Sequence, residues 1–234
     1  MERLSGGLEG KARQIFEGLA GAYDRTLDVA TAYQDRKWKT WLIERSGVAP
    51  GSRVLDVGCG TCVLEEGLER MGCETVGVDL TLRMLRLGSA KGLNSSGLLV
   101  VGDAQLLPFQ DQSFDAVLSC YVPKYCAMGI LVPELKRVTK RGGRLVMYDF
   151  ARPAGPLSGL VRAYEELALP LAGLGMRLAG SPAATTFEEL PGIIKATDWD
   201  RKARGLLELS GMVVTDEMRM TAGAVAGFAA VNPL

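Results

Sequence analysis

The chain has 234 residues, which is enough for one α/β domain with a sizeable core, and its 27 basic and 27 acidic residues give a formal net charge of zero. Nucleic-acid-binding proteins favour a strongly basic face, so we expect no nucleic-acid partner. No apolar run approaches the roughly eighteen residues of a membrane span, and the amino terminus lacks a signal-peptide core, so we expect a cytoplasmic protein.

Histidine is absent from the sequence, and the five cysteines are an odd number. Acid–base chemistry must therefore use carboxyl, lysine, tyrosine or cysteine side chains, a water, or the substrate itself. Cys59 and Cys62 form a C-x-x-C, a spacing that redox and metal sites share. Because no second C-x-x-C exists and this one lies in a glycine-rich loop, we expect free thiols and no metal.

The amino-terminal fifty residues read as two helices. The first covers about residues 8–22 and breaks near Tyr23-Asp24, and the second covers residues 31–46. Trp38, Trp41 and Leu42 fall on one face of the second helix, which predicts packing rather than chemistry. Pro50-Gly51 then leads into the first strand.

The stretch from Val54 to Cys62 predicts a strand, a tight turn and the start of a helix. Closely spaced glycines let the backbone approach a ligand at the carboxyl end of a strand, where open α/β sheets bind ligands. We expect Asp56 to lie in this turn, where its carboxylate can reach a cationic group.

Two further apolar runs end in acidic residues, Asp79 and Asp103. Asp79 lies about twenty residues beyond the glycines, the offset of a carboxylate that accepts the two ribose hydroxyls of a nucleotide. Each of the three aspartates could instead be a helix cap or a turn former. Three at successive strand ends favour a nucleoside site along one edge of the sheet.

The second half of the chain continues the alternation of strands and helices. We predict a fourth strand over 114–119, a short helix over 133–139 and a fifth strand over 144–149. The loop 120–126 leaves the carboxyl end of a central strand and should face the reacting groups. A final helix over 198–210 ends at Gly211, a typical left-handed cap.

Several segments together resemble one family, the UbiE/Coq5-like quinone C-methyltransferases within the class I S-adenosylmethionine-dependent methyltransferases. Val54–Cys62 resembles their motif I, and Thr221–Ala226 resembles the carboxyl-terminal LTxGVVA. The segments 15–24, 103–115 and 137–145 resemble the amino-terminal signature, the A-LPF-D-SFD stretch and RVLKPGGRL. Cys62 departs from the family, which usually has a third glycine there.

The resemblance implies a class I fold: α/β, with a Rossmann-like, seven-stranded, mostly parallel sheet and helices on both faces. We expect one domain over residues 1–234. It divides into a helical cover or lid (1–50), a cofactor-binding core (51–150), a helical insertion after strand five (151–198), and a last helix with an antiparallel strand pair (199–234).

S-adenosylmethionine is the cofactor that this resemblance implies. Combining motif positions and strand ends, we predict ten cofactor-binding residues. They are Tyr23, Asp56, Gly58, Cys59, Gly60, Asp79, Leu80, Asp103, Ala104 and Ser119.

The catalytic residues are harder to assign, because Pro123-Lys124 stands where quinone methyltransferases usually carry Arg-Asn. Lys124, Tyr121, Tyr148 and Asp149 remain open as the base, acting directly or through water. The ordinary pKa values of lysine and tyrosine lie near 10, so either would need a lowered pKa or a bound water. No metal is required, since positioning alone can contribute about 7–11 kcal/mol.

We expect the acceptor to be a small molecule, a quinol that can carry a lipid tail. The apolar insertion is compatible with a tail pocket, a homodimer interface or simple core, and it leaves peripheral membrane contact open. Two other functions remain open: methylation of another phenolic or thiol-reactive acceptor such as arsenite, using Cys120 and Cys126, and a non-catalytic nucleoside-binding partner. An NAD dehydrogenase is disfavoured, because Val63 occupies the last glycine position of G-x-G-x-x-G.

Overall fold

A seven-stranded sheet organises the protein, of which the computed structural model describes residues 5–91, 97–181 and 183–234. The strands are β1 (Arg53–Val57), β2 (Glu74–Asp79), β3 (Leu98–Val101), β4 (Phe114–Cys120), β5 (Thr139–Phe150), β6 (Val213–Met220) and β7 (Val225–Val231). Their order is β3-β2-β1-β4-β5-β7-β6, and only β7 runs antiparallel to its neighbours among these strands. The predicted Rossmann-like fold with a carboxyl-terminal antiparallel pair is confirmed.

Helices cover both faces of this sheet. Those of the amino-terminal half are α1 (Ser5–Leu19), α2 (Tyr23–Ala30), α3 (Asp35–Ser46), α4 (Val63–Arg70) and α5 (Leu82–Ala90). Those of the second half are α6 (Met128–Val138), α7 (Ser158–Ala163), α8 (Leu169–Leu178), α9 (Ala184–Ala196) and α10 (Trp199–Leu209), with a π-helical turn (Tyr164–Ala168) between α7 and α8.

Alternate residues of the central strands enter two cores. Leu55 and Val57 pack with α6 and α10 on one face, whereas Val54 packs with α3 and α4 on the other. Because both faces are covered, the parallel strands are apolar runs rather than alternating ones. The chain order reverses between β1 and β4, and in such sheets the crevice at that point is where ligands bind.

The amino-terminal helices divide differently from our prediction. The break expected near Tyr23-Asp24 is present, because a 3₁₀ turn (Ala20–Ala22) separates α1 from α2, which begins at Tyr23. A second break, which we did not predict, lies at residues 31–34, where Ala32 and Tyr33 have positive φ. The Thr31 hydroxyl donates to the Leu27 carbonyl, so Thr31 closes α2 instead of opening α3. The predicted helical cover exists, but it has three α-helices instead of two, with an additional turn between α2 and α3.

Two predicted boundaries in the second half are also wrong. The helix expected from Pro133 begins at Met128, and Pro133 lies inside it. Leu131 and Leu135 are fully buried on this helix, and this burial outweighs the hydrogen bond that the proline cannot donate. The fifth strand spans Thr139–Phe150 instead of 144–149, since Thr139 already pairs with Phe114 before a bulge.

The insertion forms the helical layer that was predicted after strand five. Its helices α8 and α9 pack on α1 through Leu169, Phe187 and Leu19. Together, the amino-terminal helices and the insertion cover the carboxyl ends of the central strands. Among the described residues, no helix has both the length and the apolar content to cross a membrane.

Candidate functional site

Three cavities meet at the carboxyl ends of β1, β2 and β4. The strand-end cavity, about 80 Å³, is lined by Gly58, Asp79, Leu80, Asp103, Ala104, Tyr121 and their neighbours. The loop cavity, about 30 Å³, is lined by Tyr23, Lys39, Asp56, Gly58, Cys59, Gly60, Tyr121 and their neighbours. The apolar cavity, about 380 Å³, lies between the amino-terminal helices and the insertion and includes Tyr23, Trp38, Tyr121, Lys124 and Phe150. Tyr121 lines all three.

The Asp79 carboxylate fastens the glycine loop to the end of β2. Its Oδ2 accepts from the Gly60 N–H at 3.0 Å, and its Oδ1 accepts from the Thr81 N–H at 2.8 Å. Burial raises the pKa of Asp79, and these two backbone donors oppose the rise. A carboxylate offers about four acceptor positions, so two remain for groups in the strand-end cavity.

Asp103, Ala104 and Leu80 line the same cavity as Asp79. The Asp103 Oδ1 accepts from the Gln105 N–H at 2.8 Å, which fixes the turn after β3. Four residues predicted for the nucleoside therefore lie together at one edge of the sheet and line one cavity.

The loop after β1 is shaped by Gly58, whose φ is +77°. A Cβ on Gly58 would overlap the Val122 Cγ2, so the close approach of the two loops requires glycine. Cys62 has φ +62°, yet its thiol packs behind the loop against Gly88 and not in the cavities. The thiol that replaces the family's third glycine therefore does not narrow the ligand side of the loop.

Asp56 lies within β1 and not in the turn, and its side chain is buried at the loop cavity. Among the described residues, none donates a hydrogen bond to its Oδ1. Burial raises the pKa of Asp56 to about 7. The nearest cation that acts on it is Lys39, which already pairs with Asp35 at 2.7 Å.

The amino-terminal helix α2 is tied to the glycine loop by Asp24. Its Oδ1 accepts from the Thr61 hydroxyl at 2.5 Å and its Oδ2 from the Lys91 ammonium at 2.7 Å, while the same ammonium reaches the Thr61 carbonyl at 2.9 Å. This clamp holds the adjacent Tyr23 over both the loop cavity and the apolar cavity.

A buried carboxylate, Asp35, holds the tyrosine at the junction of the cavities. Its Oδ1 accepts from the Tyr121 hydroxyl at 2.6 Å and from the Tyr148 hydroxyl at 2.8 Å. Burial and the nearby Asp35 charge raise the pKa of Tyr121 well above its ordinary value. The backbone of Tyr121 has φ +63°, a conformation that costs energy for a bulky residue and is often kept at functional sites.

Lys124 and Asp149 form a buried ion pair at the floor of the apolar cavity. The ammonium donates to Asp149 Oδ1 at 2.7 Å and to the Tyr121 carbonyl at 2.9 Å, and it lies 4.4 Å from the Tyr125 ring centroid. Burial lowers the pKa of Lys124 and raises that of Asp149, and the charge of each partner opposes the change. The pair fixes the loop between β4 and α6.

Three predicted site residues lie behind the cavity walls. The Ser119 hydroxyl donates to the Val57 carbonyl inside the sheet, and Tyr148 and Asp149 are fully buried beneath Tyr121 and Lys124. None of the three is among the side chains that line the cavities in the described part of the chain. They support residues that face the site.

No pattern in the sequence points to Asp35 and Lys39, which lie one turn apart in a charged segment typical of a solvated helix face. Only the packing of α3 against β4 and β5 buries them at the site.

The apolar cavity is large enough for a small organic ligand. The insertion contributes Val161, Tyr164 and Leu169, and α9 contributes Phe187 and Ile194. Glu165 faces the same space, and burial, followed by the neighbouring Glu166, raises its pKa to about 7. Apart from Glu165 and Lys124, the lining residues that the structure describes carry no carboxyl group or amine.

The sequence matches a known protein family and several of its members. The model of the ubiE/COQ5 methyltransferase family matches residues 6–232. The demethylmenaquinone methyltransferase of Tropheryma whipplei (strain Twist) is 34% identical over 221 residues, 92% of this chain and 88% of its own. That of Mycobacterium sp. (strain KMS) is 34% identical over 224 residues, 94% and 93% of the two chains.

Among solved structures, the fold is similar to the complex between the Haloferax volcanii Trm112 methyltransferase activator and a methyltransferase. The TM-score is 0.68 at 19% identity, over 94% of this chain and 98% of the other.

Proposed function

Since the chain belongs to the ubiE/COQ5 methyltransferase family, we propose that it transfers a methyl group to a ring carbon of a quinol that carries an apolar tail. The chain is an S-adenosylmethionine-dependent methyltransferase with the Rossmann-like fold. The finer assignment rests on one observation, the position of Tyr121 where the apolar cavity adjoins the two cavities at the strand ends.

The residues of the two smaller cavities fit S-adenosylmethionine. The two free acceptor positions of Asp79 suit the ribose hydroxyls, and Leu80, Asp103 and Ala104 suit the adenine. The unpartnered Asp56 Oδ1 suits the ammonium of the methionine end, beside Tyr23. When bound, S-adenosylmethionine supplies a methyl group already activated on a sulfonium.

The acceptor is assigned from the apolar cavity. Its volume of about 380 Å³ suits a ring with part of a tail, and its wall consists mostly of aromatic and aliphatic side chains. The relatives in Tropheryma whipplei and Mycobacterium are named for demethylmenaquinone. A quinol ring beside Tyr121 would have its tail directed towards the insertion.

We assign the proton transfer to Tyr121 and Asp35 together. Losing a phenolic proton raises the electron density of the ring carbon that attacks the methyl group. With its pKa raised, Tyr121 remains neutral and is a poor base alone. Its hydroxyl can accept the acceptor's proton while it passes its own across the 2.6 Å bond to the Asp35 carboxylate.

The outer face of the insertion suggests how a lipid-tailed acceptor reaches the cavity. Seven large apolar side chains at intervals of three and four residues are exposed along residues 157–178. They are Leu157, Leu160, Tyr164, Leu167, Leu171, Leu174 and Leu178. Tyr164 also lines the apolar cavity, so this stripe is continuous with the cavity wall. We assign the stripe to a bilayer surface that holds the acceptor.

The function is tested by measuring S-adenosylhomocysteine release with reduced demethylated quinols of different tail lengths, under anaerobic conditions. Turnover that increases with tail length supports the quinol and the tail cavity. Absence of turnover with every quinol, while S-adenosylmethionine still binds, would refute the acceptor. Arsenite is the comparison substrate; burial raises the pKa of the Cys120 thiol, which disfavours a thiolate there.

The proton path is tested with matched tyrosine variants. Tyr121→Phe and Asp35→Asn should each lower kcat by about 10²–10⁴-fold, the range of a lost general base. Tyr148→Phe removes the other hydroxyl bonded to Asp35 without touching a cavity and should leave kcat within a few-fold. Equal losses in Tyr121→Phe and Tyr148→Phe would indicate a structural role for Asp35 only.

The bilayer assignment is tested by flotation with vesicles of phosphatidylcholine and phosphatidylglycerol. The double substitution Leu167→Ser and Leu171→Ser should release the protein, whereas Leu209→Ser, an exposed leucine on α10, should not. Concentration-dependent dimers that the same double substitution abolishes would assign the stripe to a second copy of the chain and overturn the bilayer assignment.

A further inference from the structure

Three potential ligand groups come together behind the glycine loop. The Cys59 and Cys62 thiols and a Glu65 carboxylate oxygen lie within 4.8 Å of one another. All three side chains are buried, Glu65 to 1% exposure. The loop turns back between the cysteines, with the Cys62 N–H donating to the Cys59 carbonyl at 2.9 Å, and the first helical turn of α4 then brings Glu65 to the same side.

Glu65 is buried beside the Asp56 carboxyl group, and among the described residues it has no cationic partner. Neither Glu65 carboxylate oxygen receives a hydrogen bond from the described residues. A buried polar group without a partner is costly, so each such group in a folded protein calls for an explanation. Lys39, the nearby cation, is bonded to Asp35. This pocket is therefore rich in acidic and thiol groups and short of positive charge.

The space around Glu65 depends on Gly77 of β2. A Cβ on Gly77 would lie 2.6 Å from a Glu65 oxygen and 2.8 Å from the Cys59 sulfur. Glycine in the middle of a buried strand leaves both groups room on the same side. The cluster also adjoins the loop cavity through Cys59, which gives a path from solvent.

We propose that Cys59, Cys62 and Glu65 form a binding site for a divalent cation of the zinc class. Two sulfurs and one carboxylate oxygen are ligands that Zn²⁺ prefers, and three protein ligands leave a fourth position for a water. Binding displaces the protons of the two thiols to solvent, and the ion supplies the missing positive charge. The sequence spacing includes only the two cysteines; Glu65 joins them through the fold.

The ion is not assigned a step in methyl transfer. The Cys62 thiol lies behind the glycine loop, whereas Cys59 also lines the loop cavity on its front. An ion here would link the turn at Cys59 to the first turn of α4, and so it should stabilise the loop.

The test is a titration of the metal-free, fully reduced protein with Zn²⁺ against a chromophoric chelator. One equivalent should bind, and Co²⁺ in place of Zn²⁺ should give the intense near-ultraviolet absorption of cobalt–thiolate bonds. Cys62→Gly is the decisive variant, because φ +62° suits glycine and the fold should survive. It should weaken binding by at least about 100-fold, and Glu65→Gln by about 10-fold or more.

Cys73→Ser is the matched control, since Cys73 is a buried thiol bonded to the Ala49 carbonyl far from the cluster. It should bind Zn²⁺ as the unaltered protein does. Three results would each overturn the proposal: less than one equivalent bound, affinity unchanged in Cys62→Gly, or loss in the Cys73 variant as well. So would a Cys59–Cys62 disulfide in protein purified under reducing conditions, shown by mass spectrometry.

Discussion

Removal of the Asp79 carboxylate should weaken cofactor binding more than any other single change at the strand ends. Two of its acceptor positions hold the Gly60 and Thr81 N–H groups, and two are left for ribose. A hydrogen bond to a charged group contributes about 1.5–3 kcal/mol, so two contribute about 3–6 kcal/mol. We expect Asp79→Ala to raise the Kd for S-adenosylhomocysteine by about 10²–10⁴-fold, measured by isothermal titration calorimetry.

Asp115→Ala is the control for this prediction. Asp115 also accepts a backbone N–H, from Arg53 at 2.8 Å, and it pairs with Lys140, but it lies near the amino-terminal end of β4, away from the cavities. Its loss should lower stability modestly and leave the Kd within about twofold. A folded Asp79→Ala protein whose Kd stays within threefold of the parent value would refute the ribose assignment.

Three further predictions concern stability, each measured by urea unfolding. Glu165 has a folded pKa of about 7 against an ordinary value near 4.3, so the folded state loses stability as pH rises between these values. The free energy of unfolding of Glu165→Gln should equal that of the parent at pH 4 and exceed it by about 1–2 kcal/mol at pH 8. This figure is reduced because Glu165 is partly solvated. An equal difference at both pH values would contradict the prediction. Gly58→Ala should lower the free energy of unfolding by about 1–3 kcal/mol. Adding Val122→Ala should restore part of this loss, because it removes the side chain that the new Cβ would overlap. If nothing is restored, the loss comes from the positive φ alone. Lys124→Met should lower the free energy of unfolding by about 3–5 kcal/mol, because it leaves the buried Asp149 carboxylate unpaired. Adding Asp149→Leu should recover much of this loss. An unchanged loss would show that the hydrogen bonds from the backbone to Asp149 matter more than the ion pair.

Local patterns were sufficient for the sheet and for one side of the site. A strand followed by glycines can be recognised from neighbouring residues alone, and so can an aspartate at the end of a strand. Asp79 and Asp103 line the strand-end cavity because the carboxyl ends of parallel strands share one edge. Gly58 is required by a positive φ that the sequence motif already implied.

The same patterns were insufficient where one local sequence is compatible with two structures. Proline at position 133 usually marks a helix start, yet here the buried leucines of α6 decide where the helix begins. Ser119 lies near the carboxyl end of β4, so its position along the chain suggests that it faces the site. Because side chains alternate along a strand, its hydroxyl instead donates to the Val57 carbonyl inside the sheet.

The sequence by itself therefore determined the order of strands and helices and the edge of the sheet at which the strand-end aspartates lie, because these depend on short-range periodicity and backbone conformation. The tertiary structure alone decided which groups meet there. Asp35 reaches Tyr121 across 86 residues of sequence and Tyr148 across 113, and only the burial of α3 against the sheet brings them within 3 Å. Glu65 joins Cys59 and Cys62 because Gly77, on another strand, leaves the space.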